Sequence, residues 1–189
     1  SSGGRLEDAT IDGQPFCSFG HWHGDGLLLL GTDEKKLEFV KYFPDSGFAR
    51  VRDGIRLNSL VSDIVPAGED SWWLGTRGEG LFLCEKGQVS RIELKNLPRP
   101  VVECVECDSD SLVWIGTKFG LCIYDRRSGK DVLLSSDPFE AGTLGSKAIR
   151  DIFRDSSGNM WVGSTYGGAD LMCAQRSPFH TLRPHPGRN

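Results

Sequence analysis

The chain has 189 residues, of which 38% are hydrophobic and 25% are charged, and its formal net charge is −4. This composition is typical of a folded globular chain and excludes intrinsic disorder. It also lacks the basic excess of proteins that bind nucleic acids or anionic membranes. The longest apolar run, at 27–30, is far below the ~20 residues that span a bilayer, so we expect no membrane contact by this segment.

Four repeats are predicted along most of the chain. Residues 1–14 are expected to form a tail or a partial strand. A six-residue pattern, in which apolar residues are followed by Gly and by Thr or Ser, then recurs at 27–32, 71–76, 112–117 and 159–164. The pattern glycines are 41 to 47 residues apart, a period typical of repeat architectures. We set the repeat boundaries at 15–56, 57–97, 98–142 and 143–189.

Each repeat contains four short strands joined by turns. An alternating strand, clearest at 148–153, precedes a turn rich in Gly, Asp and Ser and then the pattern strand. A short loop ending in glycine leads into a third strand, as at 80–84, and a more exposed run such as 88–94 closes the unit. No window shows a sustained helical period, so we expect almost no helix. The fold prediction is all-β, with about four β-propeller blades of four antiparallel strands.

The tryptophan and glycine of the pattern are predicted to be structural. They are Trp73, Gly75, Trp114, Gly116, Trp161 and Gly163, and the first repeat has Leu29 in place of the tryptophan. Alternation along a strand places Trp73 and Gly75 on one face and Leu74 and Thr76 on the other. We expect the tryptophan to supply buried area between blades and the glycine to permit close backbone approach.

Several segments resemble the bacterial two-component regulator propeller repeat. They are the Asp-x-x-Gly turn and Trp-Val-Gly-Ser strand within 155–168, the segments 114–121 and 73–81, and the inter-blade connection at 57–65. The resemblance implies a periplasmic or otherwise extracytoplasmic sensor region of a membrane-anchored receptor whose kinase or cyclase output lies elsewhere. Propellers of that family usually have about seven blades, so the resemblance further implies a fragment of a larger propeller, an open stack or a small ring.

The cysteines are interpreted as structural. Cys104 and Cys107 form a C-x-x-C motif, but positions i and i+3 of a strand face opposite sides, and no second ligand pair has zinc-site spacing. Small buried hydrophobes are therefore the preferred interpretation. Cys17 and Cys173 would meet if four blades closed a ring, a disulfide that resembles the closure of hemopexin-type propellers.

Metal and cofactor sites are not predicted. His21 and His23 share a strand face and could ligate a metal, but a pair of histidines flanking a turn is the preferred interpretation. The chain also lacks the sequence motifs of nucleophilic hydrolases, phosphate-binding loops and zinc proteases. We therefore expect no cofactor, no metal and no nucleic-acid partner.

The loops that follow the pattern strands are the candidate recognition site, because function concentrates in loops on a rigid scaffold. The candidate ligand-binding residues are Arg77, Glu79, Lys118, Phe119 and Tyr166. The expected ligand is a small molecule or a carbohydrate.

Two functions follow from the sequence. The first is a non-catalytic sensory or interaction module of a bacterial signalling receptor, and a homodimer through the propeller edges is a further expectation. The alternative is a fragment of a carbohydrate-active propeller enzyme, a hydrolase or lyase. That alternative requires paired carboxylates in an axial pocket, and Asp63 and Asp151 are scattered acidic residues of the blade starts.

Overall fold

Strands separated by tight turns make up the secondary structure of the chain. The computed structural model describes residues 10–11, 14–15, 20–22, 27–43, 45, 47–108, 111–137, 139, 142–173 and 176–182. No helix occurs among these residues, in agreement with the all-β prediction, so this part of the chain offers no helix that could cross a membrane.

The described residues form eighteen strands, which are arranged in one two-stranded ladder and four sheets of four strands. The ladder pairs β1 (Thr10–Ile11) with β2 (Gln14–Pro15). Sheet 1 contains β3 (Gly20–Trp22), β4 (Leu27–Gly31), β5 (Lys36–Phe43) and β6 (Gly47–Arg56). Sheet 2 contains β7 (Val61–Gly68), β8 (Ser71–Thr76), β9 (Gly80–Glu85) and β10 (Gln88–Ile92). Sheet 3 contains β11 (Cys104–Cys107), β12 (Leu112–Thr117), β13 (Gly120–Asp125) and β14 (Lys130–Leu134). Sheet 4 contains β15 (Ile149–Arg154), β16 (Met160–Ser164), β17 (Gly168–Cys173) and β18 (Arg176–Leu182).

The first strand of each sheet lies nearest a common axis. β3 contacts β7, β7 contacts β11, and β11 contacts β15, while the other strands of each sheet follow outward in chain order. This radial stacking of antiparallel four-stranded sheets is the β-propeller arrangement, which confirms the predicted fold. We call β3, β7, β11 and β15 the inner strands. The face of a sheet turned toward the next repeat is its forward face, and the opposite face is its rear face.

Apolar clusters fill the spaces between successive sheets. Between sheets 1 and 2 lie Leu29, Leu37, Phe39, Ile64, Trp72, Leu74 and Phe82. Between sheets 2 and 3 lie Trp73, Leu81, Val102, Val105, Val113, Ile115 and Cys122. Between sheets 3 and 4 lie Cys104, Trp114, Leu121, Ile149, Ile152, Met160 and Val162. Trp73 and Leu74 are neighbours in β8 but belong to different clusters, because successive side chains of a strand point to opposite faces.

The pattern glycines allow the inner strand of the next sheet to approach closely. A Cβ placed on Gly75 would lie 2.7 Å from Cγ1 of Val102, and one on Gly116 would lie 2.8 Å from Cγ2 of Ile149. Contacts this short require the neighbouring side chains to move. Gly75 and Gly116 are therefore required by the contact between sheets.

Two of the inner strands, β7 and β15, are irregular near their start. The register of β7 shifts between Val61 and Asp63, and the register of β15 shifts between Ile149 and Asp151. In sheet 3 the Glu103 amide donates to the Gly116 carbonyl, 2.9 Å away, although Cys104 is the register partner of that glycine. The shifts in β7 and β15 are β-bulges, in which two residues oppose one on the partner strand.

Buried aspartates attach the connections between sheets. The Asp131 carboxylate accepts hydrogen bonds from the amides of Lys95 (2.9 Å) and Asn96 (2.8 Å), and its residue is 6% exposed. Asp170, fully buried, accepts one from the amide of Gly145 at 2.9 Å. A carboxylate that accepts two amides satisfies donors that no strand partner reaches.

Candidate functional site

One end of the sheets gathers the loops that follow the pattern strands. The amide of Arg77 donates to the carbonyl of Leu60 at 2.9 Å, and the amide of Thr165 donates to the carbonyl of Ala148 at 2.8 Å. The loops that follow β8 and β16 are thus tied to the connections that enter their own sheets. We call this end the loop face, defined by the loops 77–79, 118–119 and 165–167 and the connections 57–60, 93–103 and 142–148.

The threonine that ends each pattern shapes the loop after it. The Thr76 hydroxyl donates to the carbonyl of Gly80 at 2.8 Å and accepts from the amide of Glu79 at 3.1 Å. The Thr117 hydroxyl donates to the carbonyl of Gly120 at 2.8 Å and accepts from the amide of Phe119 at 2.9 Å. Each hydroxyl therefore donates one hydrogen bond and accepts another, and these bonds fix the loop backbone. The threonine of the pattern thus has a structural role.

Glu79 is held by the connection that precedes its own sheet. Its two carboxylate oxygens accept from the backbone amide and the side-chain amide of Asn58, each at 3.2 Å. It also lines a cavity of ≈ 430 Å³ together with Arg91, Glu93 and apolar residues that include Leu97. This volume lies within the roughly 300–1,000 Å³ of small-molecule pockets.

Lys118 takes part in a charged cluster that the sequence analysis missed. Its Nζ lies 3.5 Å from Oε1 of Glu103, and Nη1 of Arg150 lies 3.5 Å from Oε2 of the same carboxylate. The Glu103 side chain is 6% exposed, whereas both cationic side chains are 61% exposed. Two cations project from the loop face around one buried carboxylate. The signal that could have found Glu103 is its position one residue before the inner strand β11.

The other predicted residues lie on the same face with fewer partners. The guanidinium carbon of Arg99 is 5.9 Å from the ring centroid of Phe119, at the outer limit for a cation–π contact. Arg77 and Tyr166 are exposed, and Tyr166 has a φ of 76°, a left-handed conformation that is unfavourable for a bulky side chain. None of the described hydrogen bonds or ion pairs joins the predicted residues of one loop to those of the next.

The Asp63 carboxyl group, on the inner strand β7, has a perturbed pKa. Burial raises the pKa of Asp63, and the nearby Asp151 carboxylate adds to that effect. Hydrogen bonds from the amides of Val105 and Ile64, each 2.8 Å long, act in the opposite direction. Both oxygens of Asp63 are therefore engaged by the backbone, and neither of the two described cavities is lined by Asp63 or Asp151.

The two cysteines of the C-x-x-C motif point to different interfaces, as the strand geometry predicts. Cys104 packs in the cluster between sheets 3 and 4, and Cys107 packs against the cluster between sheets 2 and 3. Burial raises the pKa of both thiols, that of Cys107 to about 12. Protonated, separated thiols are neither nucleophiles nor a redox pair.

Two other predictions involve residues outside the described part of the chain. Cys17 and His23 lie there, so the Cys17–Cys173 disulfide and the metal interpretation of residues 21–23 stay predictions. Cys173 itself carries a free thiol. Among the described residues, no three His, Cys, Asp or Glu side chains come together as a metal site.

The fold and the repeated strand–loop geometry define a β-propeller. Within it, residues 143–166 match the family model described as "Two component regulator propeller". This match confirms the resemblance that the sequence shows in its fourth repeat. No curated protein matches the chain significantly.

Solved structures share the fold at low sequence identity. The extracellular domain of a putative hybrid two component system from B. thetaiotaomicron superposes with a TM-score of 0.63 at 22% identity, over 80% of this chain and 20% of that one. A second such domain from B. thetaiotaomicron gives 0.64 at 15% identity, over 91% of this chain and 25% of that one. The computationally designed Ika4 protein gives 0.62 at 11% identity, over 89% of this chain and 98% of that one. The chain spans about a fifth to a quarter of the length of the two bacterial domains.

Proposed function

We propose that this chain is a non-catalytic sensory module in the extracytoplasmic part of a bacterial signalling receptor. The observation that carries the proposal is the match of residues 143–166 to the two component regulator propeller family. The likeness in fold to extracellular domains of putative hybrid two component systems supports the extracytoplasmic location.

We propose further that the loop face binds the ligand, which is a small molecule or a carbohydrate. Lys118 and Arg150 offer cations to a carboxylate or hydroxyl group, and Tyr166 offers an exposed aromatic ring. The strained backbone of Tyr166 supports a role for that residue, because unfavourable backbone conformations concentrate at functional positions. The cavity beside Glu79 supplies an apolar wall with a charged rim.

A thermal-shift titration tests this site. The probes are neutral oligosaccharides and oligosaccharides that contain uronic acids, because the second group carries the carboxylate that Lys118 and Arg150 would recognise. A ligand at about 100 times its dissociation constant stabilises the fold by about 2.7 kcal/mol. We expect the apparent affinity for uronic acid probes, taken from the thermal shift, to fall at least tenfold in Lys118→Ala and in Tyr166→Ala.

Lys130→Ala is the matched control, because Lys130 is equally exposed but begins β14 at the opposite end of sheet 3. Unchanged affinity in both loop-face variants, with a shift still seen in the parent chain, would place the site elsewhere. The absence of a shift with any probe would contradict the carbohydrate part of the proposal.

A carbohydrate-active enzyme is the second candidate function. The Asp151 carboxylate contributes to the raised pKa of Asp63, so these two acidic groups of the inner strands are the candidate pair for glycoside hydrolysis. Incubation with polysaccharides, followed by analysis of released sugars, tests it. Product that forms with the parent chain and disappears in Asp151→Asn would support hydrolysis and overturn the non-catalytic proposal.

A further inference from the structure

The connection from sheet 2 to sheet 3 begins with an arch, residues 93–100, that is held by both of these sheets. On the side of sheet 3, the Asp131 carboxylate of β14 accepts the backbone amide of Asn96 at 2.8 Å. The side-chain amide of Asn96 donates in turn to the Asp131 carbonyl at 2.6 Å. On the side of sheet 2, the Pro100 carbonyl accepts the amide of Gly80, which begins β9, at 2.8 Å. The arch is therefore fixed in place without any ligand.

The cavity of ≈ 430 Å³ beside Glu79 lies between this arch and sheet 2. Its apolar lining is aliphatic and consists of Ile92 at the end of β10 and of Leu94, Leu97 and Pro100 in the arch. The isoleucine and the two leucines also pack against the apolar cluster on the forward face of sheet 2, so the cavity wall is continuous with the core. No aromatic side chain is among the described residues that line the cavity. The cavity thus offers a preformed surface to an aliphatic group.

Two charges of opposite sign stand at this cavity without a partner. Arg91 lies in β10, Glu93 follows the end of that strand, and both are exposed residues that line the cavity. None of the described hydrogen bonds and ion pairs uses either side chain. The third charged residue of the lining, Glu79, already accepts two hydrogen bonds from Asn58. The cavity therefore presents one cation and one anion, both available to a ligand, beside an aliphatic wall.

We propose that this cavity binds a small zwitterion with an aliphatic body, either a free aliphatic amino acid or a short aliphatic peptide. The Arg91 guanidinium donates paired hydrogen bonds to the ligand carboxylate, a geometry that suits arginine. The Glu93 carboxylate accepts hydrogen bonds from the ligand ammonium group, and the aliphatic body is buried against Leu94 and Leu97. The inference rests on the proposed function, because the cavity belongs to the loop face, and it names the class of small molecule that binds there.

Ligands that carry charge of a single sign fit this arrangement less well. An anion that pairs with Arg91 brings its charge close to the carboxylates of Glu79 and Glu93, which line the same cavity. A cation that pairs with Glu93 leaves the Arg91 guanidinium without a partner while the ligand displaces water from around it. Removing water from a charge that gains no partner costs free energy. A zwitterion satisfies both groups at once.

The first test titrates the 189-residue chain with matched small molecules in an isothermal calorimeter. Leucine and leucyl-leucine are the zwitterions, and the tighter of the two identifies the source. N-acetylleucine lacks the ammonium group, isoamylamine lacks the carboxylate, and serine lacks the aliphatic body. We expect the better zwitterion to bind at least about tenfold more tightly than each of these three analogues. Equal affinity for leucine, N-acetylleucine and isoamylamine would overturn the proposal, because the cavity would then recognise only the aliphatic body.

The second test assigns each ligand charge to one side chain. We expect Arg91→Gln to lower the affinity for the better zwitterion at least about tenfold and to leave the weaker binding of isoamylamine unchanged, since that amine lacks the carboxylate. We expect Glu93→Gln to lower the affinity for the zwitterion similarly and not to weaken the binding of N-acetylleucine. Arg127→Gln and Glu85→Gln are the matched controls, because both side chains belong to exposed residues outside the cavity lining.

The outcomes separate this inference from the proposed function. If neither leucine nor leucyl-leucine binds, the cavity assignment is overturned, while uronic acid probes that still bind through Lys118 would keep the proposed function. If a zwitterion binds and Arg91→Gln weakens it, the cavity assignment is supported even where every uronic acid probe fails. An equal loss of affinity in Arg127→Gln or Glu85→Gln would show that the charge of the whole chain governs binding, and this result would overturn the assignment.

Discussion

Removal of the Trp114 side chain measures how much the packing between sheets contributes to the free energy of unfolding. Trp114 is 3% exposed and lies in the cluster between sheets 3 and 4. A buried aromatic side chain removes about 150–250 Å² from water, which at ~25 cal/mol per Å² corresponds to about 4–6 kcal/mol. Trp114→Ala therefore removes a large share of the free energy that joins these two sheets.

Two effects reduce the expected loss. The alanine methyl group retains about 1 kcal/mol of the burial. The indole Nε1–H of Trp114 is buried with no hydrogen-bond partner among the described residues, so deleting it relieves a cost of about 1 kcal/mol or more. The expected decrease in the free energy of unfolding is about 3 kcal/mol, within the usual range for buried aromatic residues.

Urea denaturation followed by far-ultraviolet circular dichroism measures this change without using tryptophan as the probe. A decrease of about 3 kcal/mol shifts the midpoint by about 1 M for a chain of this size. Trp114→Phe is the matched control, because it keeps an aromatic ring and removes the unpartnered N–H, and we expect it to cost less than about 1.5 kcal/mol. A Trp114→Ala midpoint within about 0.2 M of the parent value would refute the buried inter-sheet assignment.

Three further predictions concern acidic residues and thiols. In urea denaturation, Asp131→Ala is expected to lower the free energy of unfolding by about 1–3 kcal/mol, because the amides of Lys95 and Asn96 lose their acceptor. An unchanged free energy of unfolding would show that water replaces the carboxylate. Hydrogen bonds from Asn159 and Trp161 lower the pKa of Asp155 to about 2. The ionised carboxylate should therefore stabilise the fold above pH about 4, and this contribution should vanish as the pH falls toward 2. Thermal melting should accordingly show that Asp155→Asn destabilises the fold at pH 7 and has less effect at pH 2. Cys104 and Cys107 should resist iodoacetamide at pH 8 in the native chain and react after denaturation, and rapid native labelling found by mass spectrometry would contradict their burial.

The sequence was sufficient to predict the blades because the controlling features are local. Strand alternation, turn residues and the glycine after each loop determine a four-stranded unit without reference to the rest of the chain. At Gly80 the φ of 87° lies in a region that glycine adopts readily, which explains why a glycine begins the third strand there. The separation of Cys104 from Cys107 also followed from strand geometry alone.

The charged cluster on the loop face could not be predicted in the same way. Glu103 meets Lys118 across a loop and Arg150 across an interface between sheets, and Arg150 lies at the register shift between Ile149 and Asp151. A one-residue shift reverses the face on which a side chain lies. The burial of Asp131 and Asp170 likewise depends on where the connections pass, which strand periodicity does not specify.

The hydrogen bond between Asp63 and Val105 has a consequence for how such a chain could have grown. In two repeats, Asp63 and Asp151 each accept a hydrogen bond from the amide of the residue that follows them. In the third repeat a cysteine, and not an aspartate, precedes Val105, so the Val105 amide is available to Asp63 of sheet 2. Tandem copies of one aspartate-bearing repeat would set two carboxylates in competition for a single donor at every junction. The difference between neighbouring repeats at this position is therefore a requirement of their succession, and it restricts which duplicated repeats can follow one another in a gene.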